Sequence, residues 1–211
     1  IDNYNTLCGL ADQNLPFNPD PTDITELCRD TIDTVNMLID KQNLRISLNA
    51  EPHTRIVADR ALVQQLLLNL LSNSISHCRR SGRISVSLLR TDENLIIGVD
   101  DDGDGIPQDE LSRVFDRYRY NADLNQPQSS GIGLSVVRGI AELHKGAMIV
   151  ESRGDGQGTS VRVMLSYGVQ PQSSAAFYSP SKDYAEHAMQ CILTGLSDCL
   201  TADCYSEALE D

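Results

Sequence analysis

The sequence has few positive charges and no long apolar run. Its 17 Lys and Arg residues stand against 30 Asp and Glu residues, which gives a formal net charge of −13. Nucleic acids and anionic membranes are negatively charged, so general binding to either is disfavoured. No apolar stretch approaches the roughly 18 residues of a membrane-spanning helix. We therefore predict no nucleic-acid partner, no direct membrane contact and a cytoplasmic location. Because the chain begins at Ile1, an inner-membrane anchor in a longer parent protein stays open.

Paired cysteines and a secretory signal are also missing. The six Cys residues form no C-x-x-C pair, and in a chain of 211 residues without a signal peptide they are expected to be reduced thiols. Metal binding through them is not expected. A hydrophobic share of 40% and a charged share of 22% are typical of a folded globular protein.

Proline, glycine and hydrophobic spacing divide the chain into three parts: a connector (1–21), one domain (22–167) and an acidic, partly helical extension (168–211). Hydrophobic periodicity predicts helices over 22–41, 59–79, 108–115 and 131–145, and strands over 45–50, 54–57, 83–90, 94–100, 147–152 and 159–165. Asp59 is predicted to cap the second helix. The fold class is α+β, a two-layer sandwich with a mixed, mostly antiparallel sheet and helices on one face.

Three polar residues interrupt the most leucine-rich helix. Asn69, Asn73 and His77 are spaced four residues apart and therefore share one helix face. A solvated face would account for one such residue. Two Asn flanked by leucines are harder to explain, because burying an amide without a partner costs roughly 1–3 kcal/mol. A bound ligand or metal would satisfy both amides.

A carboxylate and two glycines follow the strand over 94–100. Asp101, Gly103 and Gly105, with Ile106 next to them, form a turn in which glycine allows close approach to a ligand. The alternating Asp residues of this turn also resemble the start of a calcium-binding loop. That alternative fails at its twelfth position, where Leu111 replaces the required Glu.

A third motif leads directly into a helix. The run Gly131, Ile132, Gly133, Leu134 is typical of a helix start that offers free amides to phosphate. A dinucleotide site is not indicated, because Val136 occupies the place of its third glycine. The sequence also lacks the G-K-S/T of a P-loop.

Taken in order, these motifs resemble the ATP-binding domain shared by sensor histidine kinases, gyrase, Hsp90 and MutL, over 59–165. The N box is similar to 69–77, the first glycine box to 101–105 and the second to 131–134. An F box resembles 114–118, and a last glycine box precedes Thr159. The resemblance implies a Bergerat-type ATP-binding fold.

The resemblance also implies roles for individual residues. Asp101 accepts a hydrogen bond from the adenine amino group, with Thr159 at the ring edge, and Asn73 binds the magnesium ion. The segment 116–130 is the ATP lid, in which Arg119 is alternatively a solvated charge. The residues implied to contact ATP are Asn69, Asn73, His77, Asp101, Gly103, Gly105, Ile106, Phe115, Arg119, Gly131, Ile132, Gly133, Leu134 and Thr159.

Within that family, Asn69 selects the branch. Hydrolytic members carry a Glu there that activates water, whereas an amide cannot take a proton at neutral pH. Asn69 and Asn73, the catalytic candidates, therefore favour phosphate transfer to a histidine in a two-component sensor kinase. The alternatives are a degenerate nucleotide-binding or interaction module, which Ser76 and Ser129-Ser130 at unusual positions would suit, and a hydrolytic ATPase.

The four histidines do not stand in the sequence context of a phosphoacceptor. His53, His77, His144 and His187 each lack the following acidic residue and the proline about four residues on. The resemblance then implies an acceptor on a dimerisation domain outside this chain, of which 1–14 is the last part. A response regulator is the further partner expected.

Overall fold

The computed structural model describes residues 3–39, 43–78, 81–107, 111, 132–152, 154, 156–171 and 196. Along the chain its elements are α1 (Asn3–Ala11), β1 (Asp20–Asp23), α2 (Ile24–Ile39), β2 (Arg45–Asn49), β3 (Arg55–Ala58), α3 (Arg60–His77), β4 (Arg83–Arg90), β5 (Asn94–Asp101), α4 (Ile132–Leu143), β6 (Ala147–Ser152) and β7 (Thr159–Ser166). The described helices include none with the length and hydropathy needed to cross a membrane.

A five-stranded sheet forms one layer of the fold. Its strand order is β2-β4-β5-β7-β6, in which β2 and β4 are parallel and the other neighbours are antiparallel. A separate two-stranded sheet pairs β1 with β3. The mixed, mostly antiparallel sheet predicted from the sequence is confirmed.

One face of the large sheet is buried against the helices. Every second residue of its central strands points into a core shared with α2, α3 and α4, while the intervening residues, apart from the buried Gly98, stay at least partly exposed. The buried strand residues are Ile84, Val86, Leu88, Leu95, Ile97, Val99, Val161, Val163 and Leu165. The two-layer α+β sandwich is therefore confirmed.

Several predicted boundaries hold and a few are wrong. β4 and β6 have the predicted bounds, and the Asp59 carboxylate caps α3 by accepting from the Leu62 amide at 3.1 Å. The segment 1–21 contains α1, and it runs into β1, a strand that was not predicted and that pairs with β3. As a result α2 begins at Ile24, two residues later than predicted. The predicted helix over 108–115 lies outside the described residues, apart from Leu111.

A buried histidine joins the end of α4 to the start of α3. Nδ1 of His144 donates to the Ile140 carbonyl at 2.8 Å, and Nε2 accepts from the Asp59 amide at 3.1 Å. The ring meets Phe17 edge-on, with centroids 5.0 Å apart. Burial lowers the pKa of His144, so the ring is neutral near pH 7. This contact fixes how the two helices lie relative to each other.

Candidate functional site

The N-terminal end of α4 lies against the polar face of α3. A Cβ built on Gly133 would stand 3.7 Å from Oδ1 of Asn69 and 3.7 Å from both amide atoms of Asn73. Asn69 is buried, with 3% of its surface exposed, and Asn73 is half-buried. The structure therefore brings together residues from two motifs that are about 60 positions apart in the chain.

Asn69 has one satisfied and one unsatisfied amide atom. Its Oδ1 accepts from Nδ2 of Asn3 at 2.7 Å. Its Nδ2 is buried and makes no hydrogen bond to any described residue. A buried donor without a partner costs about 1–3 kcal/mol. A ligand with an acceptor oxygen would remove that cost, which supports a binding site between α3 and α4.

Asp101, at the end of β5, is held from three sides. Its Oδ1 accepts from the amides of Gly103 at 3.0 Å and Thr159 at 3.1 Å. Its Oδ2 accepts from the Ser74 hydroxyl at 3.1 Å. Sequence reasoning missed Ser74, although a small hydroxyl residue directly after Asn73 in a leucine-rich helix was a usable signal. The carboxylate is consequently fixed in position before any ligand binds.

The glycines of the two turns pack against protein backbone. A Cβ on Gly103 would collide with the carbonyl of His77, and one on Gly158 would collide with the carbonyl of Asp101. Gly105 adopts a φ of +74°, which favours glycine. The close approach seen here is between backbone segments, and contact of Gly103 and Gly105 with ATP stays a prediction.

The other predicted residues either lie beside the motifs just described or fall outside the described part of the chain. The amide of Ile106 donates to the Ser152 hydroxyl at 2.8 Å, and the side chain of His77 is exposed. Ile132 and Leu134 are half-buried at the start of α4 and pack on the core. The remaining candidates, Phe115, Arg119, Gly131 and the lid segment 116–130, lie outside the described residues.

The acidic residues on either side of Asp101 contact other residues of this chain. Asp100 forms an ion pair with Arg162 at 2.8 Å. Asp102 accepts from the Arg83 amide at 2.9 Å, and this hydrogen bond lowers the pKa of Asp102. No group of three or more His, Cys, Asp or Glu residues gathers to hold a metal in the described part of the chain.

A family model described as "Histidine kinase-, DNA gyrase B-, and HSP90-like ATPase" matches residues 58–168, just over half of the chain. The chain belongs to this ATPase family. The match begins at the Asp59 cap of α3 and ends just after β7, so it contains Asn69, Asp101 and Gly133. ATP is the substrate of the family domain, and the motif resemblance found in the sequence is confirmed.

Relatives of this ATPase-family chain include sensory kinases. It is 34% identical over 148 residues to the adaptive-response sensory kinase SasA of Prochlorococcus marinus, covering 66% of this chain and 38% of that protein. It is 39% identical over 119 residues to the histidine protein kinase DivJ of Caulobacter vibrioides, covering 56% of this chain and 20% of DivJ. The chain thus spans less than half of the length of these relatives.

The solved structure of histidine kinase ThkA in complex with response regulator protein TrrA has the same fold. Its TM-score is 0.61 at 20% identity, and the match covers 81% of this chain and 48% of ThkA. At this identity the similarity establishes the architecture of the ATPase-family domain.

Proposed function

We propose that this chain is the ATP-binding catalytic part of a two-component sensor histidine kinase, which donates the γ-phosphate of ATP to a histidine outside this chain. The observation that carries the proposal is Asn69, whose buried amide stands where hydrolytic members of the family carry a general base. The relatedness to DivJ and SasA supports the same choice.

Asp101 is proposed to select adenine. Each carboxylate oxygen can accept about two hydrogen bonds, and Oδ1 already accepts two, from Gly103 and Thr159. Among the described residues Oδ2 accepts from Ser74 alone, so Oδ2 is the atom proposed to receive the adenine amino group. Thr159, whose amide is committed to Asp101, is proposed to meet the ring edge through its hydroxyl.

Magnesium is proposed to bind at Asn73. An amide oxygen suits this hard cation, and Asn73 lies beside Gly133 and the unsatisfied amide of Asn69. When bound, magnesium neutralises charge on the phosphates. The residues of this chain orient the phosphates by offering the Asn69 amide and the backbone amides at the start of α4.

The acceptor histidine is proposed to lie on a dimerisation domain, and the phosphate is proposed to pass on to a response regulator. His144 is unsuited as an acceptor, because it is buried and both ring nitrogens are hydrogen-bonded. TrrA binds ThkA in the solved complex of that relative, which supports a response regulator as partner here. A cytoplasmic location and the absence of direct membrane contact by this chain belong to the same proposal.

Calorimetric titration with a non-hydrolysable ATP analogue, with and without magnesium, tests the nucleotide site. Wild-type chain is expected to bind, and Asp101→Asn is expected to lose most of that binding. Asp102→Asn is the matched control, because its carboxylate accepts from the Arg83 amide and the Cys78 thiol and not from the donors that hold Asp101. Transfer of phosphate from ATP to an added histidine-bearing dimerisation domain then tests the kinase activity. A wild-type chain that binds no analogue at millimolar concentration would instead support a degenerate interaction module.

A further inference from the structure

Helix α1, which precedes the family match, lies across both helices of the site. Asn3 and Thr6 reach α3, and the side chain of Leu10 lies over Gly139 of α4. Gly139 leaves the space that Leu10 occupies, since a Cβ there would crowd that side chain. Residues of the connector therefore contact both helices that form the site.

A chain of hydrogen bonds runs from α1 to Asn69. Nε2 of Gln65 donates to Oγ1 of Thr6 at 2.9 Å and to Oδ1 of Asn3 at 3.1 Å. Nδ2 of Asn3 then donates to Oδ1 of Asn69 at 2.7 Å. Thr6, Gln65 and Asn69 are all buried. Because the side-chain oxygen of Asn3 accepts from Gln65, the side-chain nitrogen of Asn3 faces Asn69. The side-chain oxygen of Asn69 accepts the hydrogen bond from that nitrogen.

We propose that Asn3 is a positioning residue of the nucleotide site, which holds the amide of Asn69 so that Nδ2 faces a phosphate oxygen of ATP as a donor. The inference rests on the proposed function. It follows from the different surroundings of the two amide atoms of Asn69: the oxygen accepts a hydrogen bond from Asn3, and the nitrogen is buried without a partner among the described residues. A hydrogen bond from this nitrogen to an anionic oxygen would be charge-assisted. Asn73 then supplies the amide oxygen for magnesium.

The substitution Asn3→Asp tests the proposal by reversing the polarity of the contact. A carboxylate only accepts, so it can keep the hydrogen bond from Gln65 but cannot donate to Asn69. The amide of Asn69 is then expected to turn, giving Nδ2 to the new carboxylate and presenting its oxygen to the phosphates. Asp is well tolerated in the first turn of a helix, so α1 is expected to remain folded. Asn5→Asp is the matched control, because it makes the same change at an exposed position of α1.

The measurement is titration with the ATP analogue, with and without magnesium, on wild-type chain and both variants. We expect Asn3→Asp to weaken binding about tenfold or more without magnesium and less with it, because an oxygen repels phosphate but can bind the cation. Asn5→Asp is expected to match wild type. A general loosening of the domain would lower both affinities alike, so the change in magnesium dependence separates positioning from mere structural damage. Thermal unfolding checks that each variant is folded.

Asn69→Asp gives a second, independent test. If Asn69 acts as a donor, a carboxylate in its place repels phosphate, so binding falls sharply without magnesium and less with it, because the carboxylate can bind the cation. If Asn69→Asp keeps wild-type affinity without magnesium, Asn69 is not a donor to phosphate and the inference is overturned. Equal binding by Asn3→Asp and Asn5→Asp also overturns it while leaving the proposed function intact. Absence of binding by wild-type chain, in contrast, overturns the proposed function and this inference together.

Discussion

Replacing Gly133 by Ala is expected to change stability and nucleotide affinity in opposite directions. The added methyl would lie 3.7 Å from its nearest neighbours, the amides of Asn69 and Asn73, which is an ordinary van der Waals distance. The chain can therefore accept it without rearrangement. Gly in a helix costs roughly 0.5–1 kcal/mol relative to Ala, and the first turn of α4 should recover up to about that amount.

The same methyl would occupy the space in which the two amides must meet the phosphates and magnesium. Losing one hydrogen bond to a charged group costs about 1.5–3 kcal/mol, which corresponds to roughly a 10- to 150-fold weaker affinity. Over a chain of this size, the gain in stability corresponds to a melting temperature higher by about 1–4 °C. Calorimetric titration and thermal unfolding of the same sample measure both quantities.

Arg138→Ala is the control for this prediction, since Arg138 lies in the same helix but its exposed side chain pairs with Glu142 rather than meeting the polar face of α3. It is expected to leave the contacts of Asn69 and Asn73 unchanged. If Gly133→Ala binds the ATP analogue within a factor of about two of wild type, which is only some 0.4 kcal/mol, the gap between α3 and α4 is not the phosphate site.

Three further predictions concern other parts of the same framework. Burial lowers the pKa of His144, so as the pH falls through about 6.5 this histidine becomes protonated in the unfolded chain before it does in the folded one. The free energy of unfolding should therefore fall between pH 7.5 and 5.5, by at most about 1.4 kcal/mol per pH unit. Urea denaturation should show this slope, and the slope should shrink in His144→Gln. Ser74→Ala removes the hydroxyl donor to Asp101 and should lower both the free energy of unfolding, by about 1–3 kcal/mol, and ATP affinity, whereas the exposed Ser76→Ala should change neither; equal effects of the two would contradict the role given to Ser74. Asn69→Glu should raise phosphate release from ATP above that of wild type and of Asn69→Gln, and an unchanged release rate would argue against position 69 as the place of the general base.

Local patterns were sufficient to predict most elements of this fold. The alternation of Ile84, Val86 and Leu88 with polar residues gives β4 its period of two, and the bounds predicted from it match the structure. Asp59 was recognisable as a cap because the first turn of a helix has unpaired amides that a carboxylate can accept from. Such features depend on residues only a few positions apart, which is why the sequence alone reveals them.

Pairing between distant segments was less accessible. β1 was missed because Pro21 and the prolines before it are typical of a connector, and its strand character comes from hydrogen bonding to β3, more than 30 residues away. Ser74 was missed for a related reason, since its contact with Asp101 forms only when α3 packs across the end of β5. The sequence placed Ser74 on the correct helix but did not show that it lies next to Asp101.

The amino-acid sequence by itself determined the order of the motifs, the helix face shared by Asn69 and Asn73, and the presence of an amide side chain at position 69, because these follow from residue identity and helical spacing. The tertiary structure alone decided which atoms of those residues remain available. The oxygen of Asn69 accepts a hydrogen bond from Asn3, which belongs to a helix outside the family match. The space in which a side chain at position 103 would lie is taken by the carbonyl of His77. Hydrogen bonds and close contacts of this kind join segments that are distant in the chain, so they depend on how the helices pack and not on any local pattern.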